Sequence, residues 1–217
     1  MEKGTFFVIG LGKFGTALAL SLMDHGCQVT VIDHDEETVN SLSDKVTNAI
    51  IGDPTSEAVL KASGISEDDC AIVCLAASMN DSILTVLILK ELGVGTVIAR
   101  ALSERHSTVL QKIGADRIVS PERDMGEKLA SLLSKRGLLD YIEFSDTYSI
   151  AEIIVPEKWI GKSIADNAVR RKYNVTVIAV RRKDGKVFVS PDPTLVFRHG
   201  DSVSVVGECG NVDKLAL

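Results

Sequence analysis

The 217 residues predict an α/β chain. A Rossmann-type doubly wound parallel sheet is expected over residues 1–121, a crossover helix and hinge over 122–142, and a small α+β C-terminal domain over 143–217. Three observations predict it. Short unbroken apolar runs alternate with amphipathic stretches as far as residue 119, the pattern of parallel strands covered on both faces by helices. A glycine-rich turn joins the first such run to the first helical stretch. Beyond residue 143 the helical period gives way to β-rich runs punctuated by turn signals such as Asp184-Gly185 and Pro191-Asp192-Pro193.

Taken in order, residues 5–9 are apolar and β-rich and end at Gly10, and 14–23 then place Leu18 and Leu22 at helical spacing. Strands are expected at 29–32, 48–51, 71–75, 96–99 and 117–119, with helices between them at 36–42, 56–62, 81–92 and 104–113. Six strands complete a doubly wound domain. Residues 122–136 read as one more helix carrying Met125, Leu129, Leu132 and Leu133, with no strand of its own in the first sheet. The hinge is expected at 138–143. Strands follow at 148–155, 175–180, 187–189 and 202–206.

With 45% hydrophobic and 25% charged residues, the composition is that of an ordinary soluble globular chain. Its most apolar stretch, 83–89, is far shorter than the roughly 20 residues that cross a bilayer, and no charged-then-apolar leader opens the chain, so a cytoplasmic location is expected. A net charge of -6 without a long basic run argues against a nucleic-acid partner. Cys27, Cys70, Cys74 and Cys209 lack the paired spacing of a zinc site or disulfide framework and read as buried free thiols. His25, His34, His106 and His199 read as solvated loop or surface residues. No Ser-His-Asp pairing, zinc-protease spacing or Walker lysine is present, so binding outranks catalysis.

The one motif with chemistry is Gly10-Leu11-Gly12-Lys13-Phe14-Gly15. Gly10 permits the sharp turn, Gly12 removes a side chain so that backbone N–H groups can approach phosphate, and Gly15 lets the helix pack close on the sheet. The helix N-terminus supplies partial positive charge and Lys13 a full one. About 20 residues on, Asp33 ends the second strand, where a carboxylate accepts ribose hydroxyls and disfavours a 2′-phosphate. Asp35 can do the same or cap the following helix. An adenine nucleotide or dinucleotide is the expected ligand.

These residues, together with Val31-Ile32-Asp33, Leu87 to Leu92, Lys112-Ile113-Gly114-Ala115-Asp116-Arg117-Ile118-Val119 and Pro121-Glu122-Arg123-Asp124-Met125-Gly126, resemble the RCK family, the regulators of potassium conductance. Within it the chain is similar, nearly end to end, to cytosolic gating subunits of Ktr/Trk-type potassium transporters, built of TrkA N-terminal and C-terminal domains. The resemblance implies an octameric ring of dimers on the cytoplasmic face of a membrane potassium transporter, reshaped by exchange of ATP for ADP. It places Gly10, Gly12, Lys13, Phe14 and Gly15 at the phosphates, Asp33 at the ribose, and Asp53 and Thr55 on the adenine side, with Ala76 and Arg100 completing the pocket. Relatives usually carry arginine where Lys13 stands, and lysine lacks the bidentate fork.

The resemblance also places a carboxylate, Glu122, near a cation such as Mg or Ca at a dimer interface, although a glutamate favouring its own helix dipole is the plainer reading. The helix at 122–136 resembles the family's crossover arm packing on a second subunit; an ordinary core helix is the alternative. Residues 162–173 resemble the part of related C-terminal domains that binds cyclic di-AMP, with arginine on phosphate and Ile164 on adenine, against a solvated basic helix end. Here the chain has Ala165 and Asn174 where relatives carry an apolar residue and glycine. A different class of function, an NAD(H)-binding oxidoreductase or redox-sensing regulator, uses the same loop.

Overall fold

A computed structural model describes residues 4–134, 137–143, 145 and 147–215. It divides into two compact units, residues 1–121 and 122–217. The first unit alternates β1 (Phe6–Ile9), α1 (Lys13–Asp24), β2 (Val29–Asp33), α2 (Glu36–Leu42), β3 (Asn48–Ile51), α3 (Glu57–Ala62), β4 (Cys70–Val73), α4 (Met79–Glu91), β5 (Thr96–Arg100), α5 (Glu104–Lys112) and β6 (Arg117–Val119). Its six strands lie in the order β3-β2-β1-β4-β5-β6, every pair parallel.

Pleating sends alternate side chains to opposite faces, so each strand feeds two cores. Phe7, Ile9, Ile32, Val73 and Val97 meet Leu60, Val86, Leu89 and Leu110 from α3, α4 and α5 on one side. Val8, Val29, Val31 and Ile72 meet Ala19, Val39 and Leu42 from α1 and α2 on the other. Each fully buried side chain of this size contributes about 1.5–3 kcal/mol. The strand order reverses between β1 and β4, and a crevice opens beyond the strands' carboxyl ends at such a switch.

His106 overturns its expectation: it is fully buried rather than solvated. It stands in the first turn of α5, where its Nδ1 accepts from the Leu102 N–H at 3.2 Å and its Nε2 has no hydrogen-bond partner among the described residues. The local sequence is polar, but the helix turns this face onto the apolar layer. Burial disfavours the imidazolium and lowers the pKa below its ordinary 6.5. The unfolded chain therefore binds a proton that the native chain resists, and stability present above about pH 6.5 is lost as pH falls towards the folded value. The urea midpoint is expected to decline between pH 7 and pH 5, and His106→Gln to flatten that decline.

The second unit contains α6 (Pro121–Ser134), whose first residue belongs to the other unit, then β7 (Leu138–Glu143), β8 (Tyr148–Ile154), α7 (Ile164–Asn167), α8 (Val169–Tyr173), β9 (Val175–Arg181), β10 (Val187–Val189), β11 (Ser202–Glu208) and α9 (Cys209–Asp213). The antiparallel sheet runs β10-β9-β11-β8-β7. Residues 138–143, where a hinge is expected, form edge strand β7, paired with β8. Leu138 and Tyr141 join the second unit's core, and this pairing gives the run its strand geometry. The last two residues of the expected 122–136 helix, Lys135 and Arg136, lie outside the described residues.

Trp159 is almost completely buried, with the rings of Tyr173 and Phe197 each 5.5 Å away, and anchors this core. Arg182 and Asp201 form a buried ion pair, with the Arg198 N–H donating to the same carboxylate at 2.7 Å, so the charge is fully answered. On α6, Leu132 packs on the core, whereas Met125, Leu129 and Leu133 are 64%, 51% and 79% exposed. That stripe recurs every four residues along one helix face. No described helix is long and apolar enough to cross a membrane.

Candidate functional site

The loop between β1 and α1 is shaped by close approach. Gly10 has φ +96°, and a Cβ there would lie 2.9 Å from Leu75 Cδ2 and 3.0 Å from the Leu75 nitrogen. Gly15 has no unusual φ, but a Cβ there would meet the Gly10 carbonyl oxygen at 2.0 Å. Gly12 is the N-cap of the 12-residue α1, no side chain caps the helix, and the space around its Cα is open. The first N–H groups of the helix thus face a position that an anion can fill.

Gly10, Gly12, Asp33, Asp53, Thr55 and Ala76 line one cleft of about 330 Å³. The tertiary structure adds His34, Cys74, Ser78 and Asp81 to its walls. Asp33 is 8% exposed, and its Oδ2 accepts from the Leu11 N–H at 2.5 Å while Oδ1 accepts from the Asp35 N–H at 3.0 Å. The His34 Nδ1 is 3.1 Å from the same Oδ1. Asp53 Oδ1 accepts from the Thr55 hydroxyl at 2.7 Å and its N–H at 2.8 Å. The hydroxyl bond, followed by the amide, holds the Asp53 carboxyl below its usual range, so it is charged at neutral pH.

The remaining expected residues stand elsewhere. Lys13 opens α1 and is exposed, outside the cleft lining. Phe14 turns to a second, apolar cleft of about 240 Å³ with Phe6, Leu18, Leu22 and Ile98, and the Arg100 guanidinium lies 5.7 Å over its ring. Gly15 is buried under the loop. Asp35 sits at the N-cap of α2, where its carboxylate takes the Thr38 hydroxyl, which lowers its pKa. Glu122 stands in the first turn of α6. Among the described residues no three His, Cys, Asp or Glu side chains converge on a metal position.

Cys74 is the one thiol in the cleft, and burial pushes its pKa up to about 12, so it is a neutral wall and no nucleophile. The other three cysteines are half-buried rather than buried, and all four are free. His34, expected only as a solvated loop residue, reaches the cleft because it follows the carboxylate that ends β2. Ser78 and Asp81 have a Ser-x-x-Asp spacing that marks the start of α4 and not a binding role, and the Ser78 hydroxyl accepts from the Asp81 N–H at 3.2 Å. In the second unit, Ser163 and Asp166 form a capping box at α7, and Ala168 and Asn174 both adopt left-handed conformations around the exposed Arg170.

The cleft thus joins an uncapped helix N-terminus and an open glycine to a carboxylate end suited to a ribose, which is the shape of an adenine-nucleotide site. The TrkA-N domain matches residues 6–121 and the TrkA-C domain residues 150–216. The Ktr system potassium uptake protein C of Bacillus subtilis is 40% identical over 98% of this chain and 96% of its own length. Potassium uptake protein A of the same system and organism is 41% identical over 99% of this chain and 96% of its own. A solved structure of GsuK bound to ADP is 29% identical with a TM-score of 0.52, the match spanning 61% of this chain and 34% of that one. By family match and by end-to-end identity, the chain belongs to the TrkA family of potassium uptake proteins.

Proposed function

We propose that this chain is the cytosolic nucleotide-sensing regulatory subunit of a membrane potassium uptake system, switched by exchange of ATP for ADP in a ring of eight subunits. The observation that carries the reading is the cleft itself, in which phosphate-ready backbone at Gly12 and a ribose-ready carboxylate at Asp33 share one lining. A sensor needs such a site to bind its nucleotide and release it unchanged. A ligand then shifts the assembly only as far as it prefers one shape over another.

The exposed Met125, Leu129 and Leu133 stripe supports assembly with a second copy, since an apolar helix face of this kind is stabilised by being covered. Glu122 would offer a cation one carboxylate from each chain, so a Mg or Ca site would need further ligands from the partner. In the second unit, Arg170 and the half-buried Ile164 support cyclic di-AMP as a second ligand. The same loop would accept NAD(H), as in an oxidoreductase or redox-sensing regulator, because all three nucleotides share adenosine and pyrophosphate.

Calorimetric titration of nucleotide-stripped protein with ATP, ADP, NADH and cyclic di-AMP, with light scattering on the same sample, tests this. Micromolar binding of ATP and ADP to an octamer is the expected result. Tight NADH binding to a dimer that ignores ATP would overturn it in favour of the redox reading.

A further inference from the structure

We propose that Asp33 is a positioning residue for the glycine loop, holding Leu11 in place so that the loop keeps its phosphate-facing shape before any nucleotide arrives. The inference rests on the reading of the cleft as an adenine-nucleotide site and assigns Asp33 a second task there. Leu11 is gripped at both ends by side chains from outside its own turn. Its N–H donates to Asp33 Oδ2 at 2.5 Å, and its carbonyl accepts from the Thr16 hydroxyl at 2.9 Å. Both Leu11 and Asp33 are buried, 5% and 8% exposed, so water does not replace either bond cheaply.

The preceding Gly10 N–H is already taken by the Ile32 carbonyl at 2.9 Å, which ties the loop's entry to β2. The next residue, Gly12, begins the helix N-terminus that faces the cleft. Leu11 therefore links the anchored and the open parts of the loop, and its amide direction depends on a carboxylate 22 residues away. A carboxylate offers about four acceptor positions. Leu11 and Asp35 engage two of them, with the His34 ring nitrogen 3.1 Å from Oδ1, leaving room for a ribose hydroxyl beside the clamp rather than instead of it. A bond from an amide to an ionised acceptor is among the stronger ones, and its loss would leave a buried N–H without a partner.

The two roles separate by sign. If Asp33 acts only through the ribose, removing its charge should leave a nucleotide without ribose hydroxyls unaffected, or bind it more tightly, since a negative group near the phosphates has gone. If Asp33 holds the loop, the same change weakens that nucleotide too. The experiment compares ADP with 2′,3′-dideoxy-ADP on the parent and Asp33→Asn, and follows exchange of the Leu11 amide in nucleotide-free protein. Expected are about tenfold weaker binding of both nucleotides and at least about tenfold faster Leu11 exchange in the variant. Parental affinity for dideoxy-ADP, or unchanged exchange at Leu11, overturns the proposal.

If the parent binds no adenine nucleotide at all, the nucleotide reading falls, and the Leu11 exchange decides the clamp alone. Should Asp33→Asn fail to fold, Thr16→Val releases the Leu11 carbonyl without touching the ribose acid. It is expected to weaken ADP and dideoxy-ADP by the same factor, about threefold; parental affinity for both would overturn the clamp.

Discussion

Gly15→Ala is expected to destabilise the first unit by about 3 kcal/mol and to weaken ADP binding at least about tenfold. Two effects oppose each other at this position, and their magnitudes decide the sign. Gly15 lies inside α1, where replacing glycine by alanine gains about 1 kcal/mol of helix propensity. A Cβ there, however, would stand 2.0 Å from the Gly10 carbonyl oxygen and 3.2 Å from the Cys74 Cβ. The first of these atoms is backbone, so no rotamer change relieves the overlap. Either α1 moves off the sheet or the turn at Gly10 opens, and both displace the amides that face the cleft. Denaturant unfolding measures the stability and calorimetry the affinity. A Gly15→Ala protein as stable as the parent would mean that the helix does not pack as closely as described.

Trp159→Ala is expected to cost the second unit about 3–5 kcal/mol, the range for removing a large aromatic from a packed core. Trp159 is 1% exposed, Phe197 is equally buried against it, and the Asn167 side chain donates to the Trp159 carbonyl at 3.3 Å. A unit of fewer than about 100 residues has little stability in reserve. Because the chain contains a single tryptophan, fluorescence of the parent reports unfolding of this unit selectively. Far-UV circular dichroism then follows the variant. The expected result is an early transition accounting for the antiparallel sheet, with ADP affinity of the first unit retained. A single transition at the parental midpoint would show that the Trp159 cluster is not the anchor of this core.

Much of the first unit was legible in the sequence because its signals are local. Residues 29–32 read as a strand because three of the four are β-branched apolar residues and the fourth is threonine, and the structure extends the strand to Asp33 and buries all five. The glycine pattern carries its own steric argument, and the positions of Gly10 and Gly15 against Leu75 and Gly10 itself follow it. The second unit was less legible. Helices α7, α8 and α9 have four or five residues each, too short to show a period. Strand β7 looked like a hinge because its residues, Leu-Leu-Asp-Tyr-Ile-Glu, carry a strand pattern only once β8 is beside them.

The candidate site divides the same way. That a nucleotide-type loop and an acid share one domain was determined by the sequence alone, since the turn, the helix start and the strand end are each set by neighbouring residues. That Asp33 grips Leu11, that His34 and Asp81 stand at the same mouth, that Lys13, Phe14 and Arg100 stand outside it, and that His106 is buried were decided only by the tertiary structure. The physical reason is range: propensity and periodicity act over a few residues, whereas a carboxylate finds its amide, and an imidazole its apolar layer, only after the sheet has brought distant strands together.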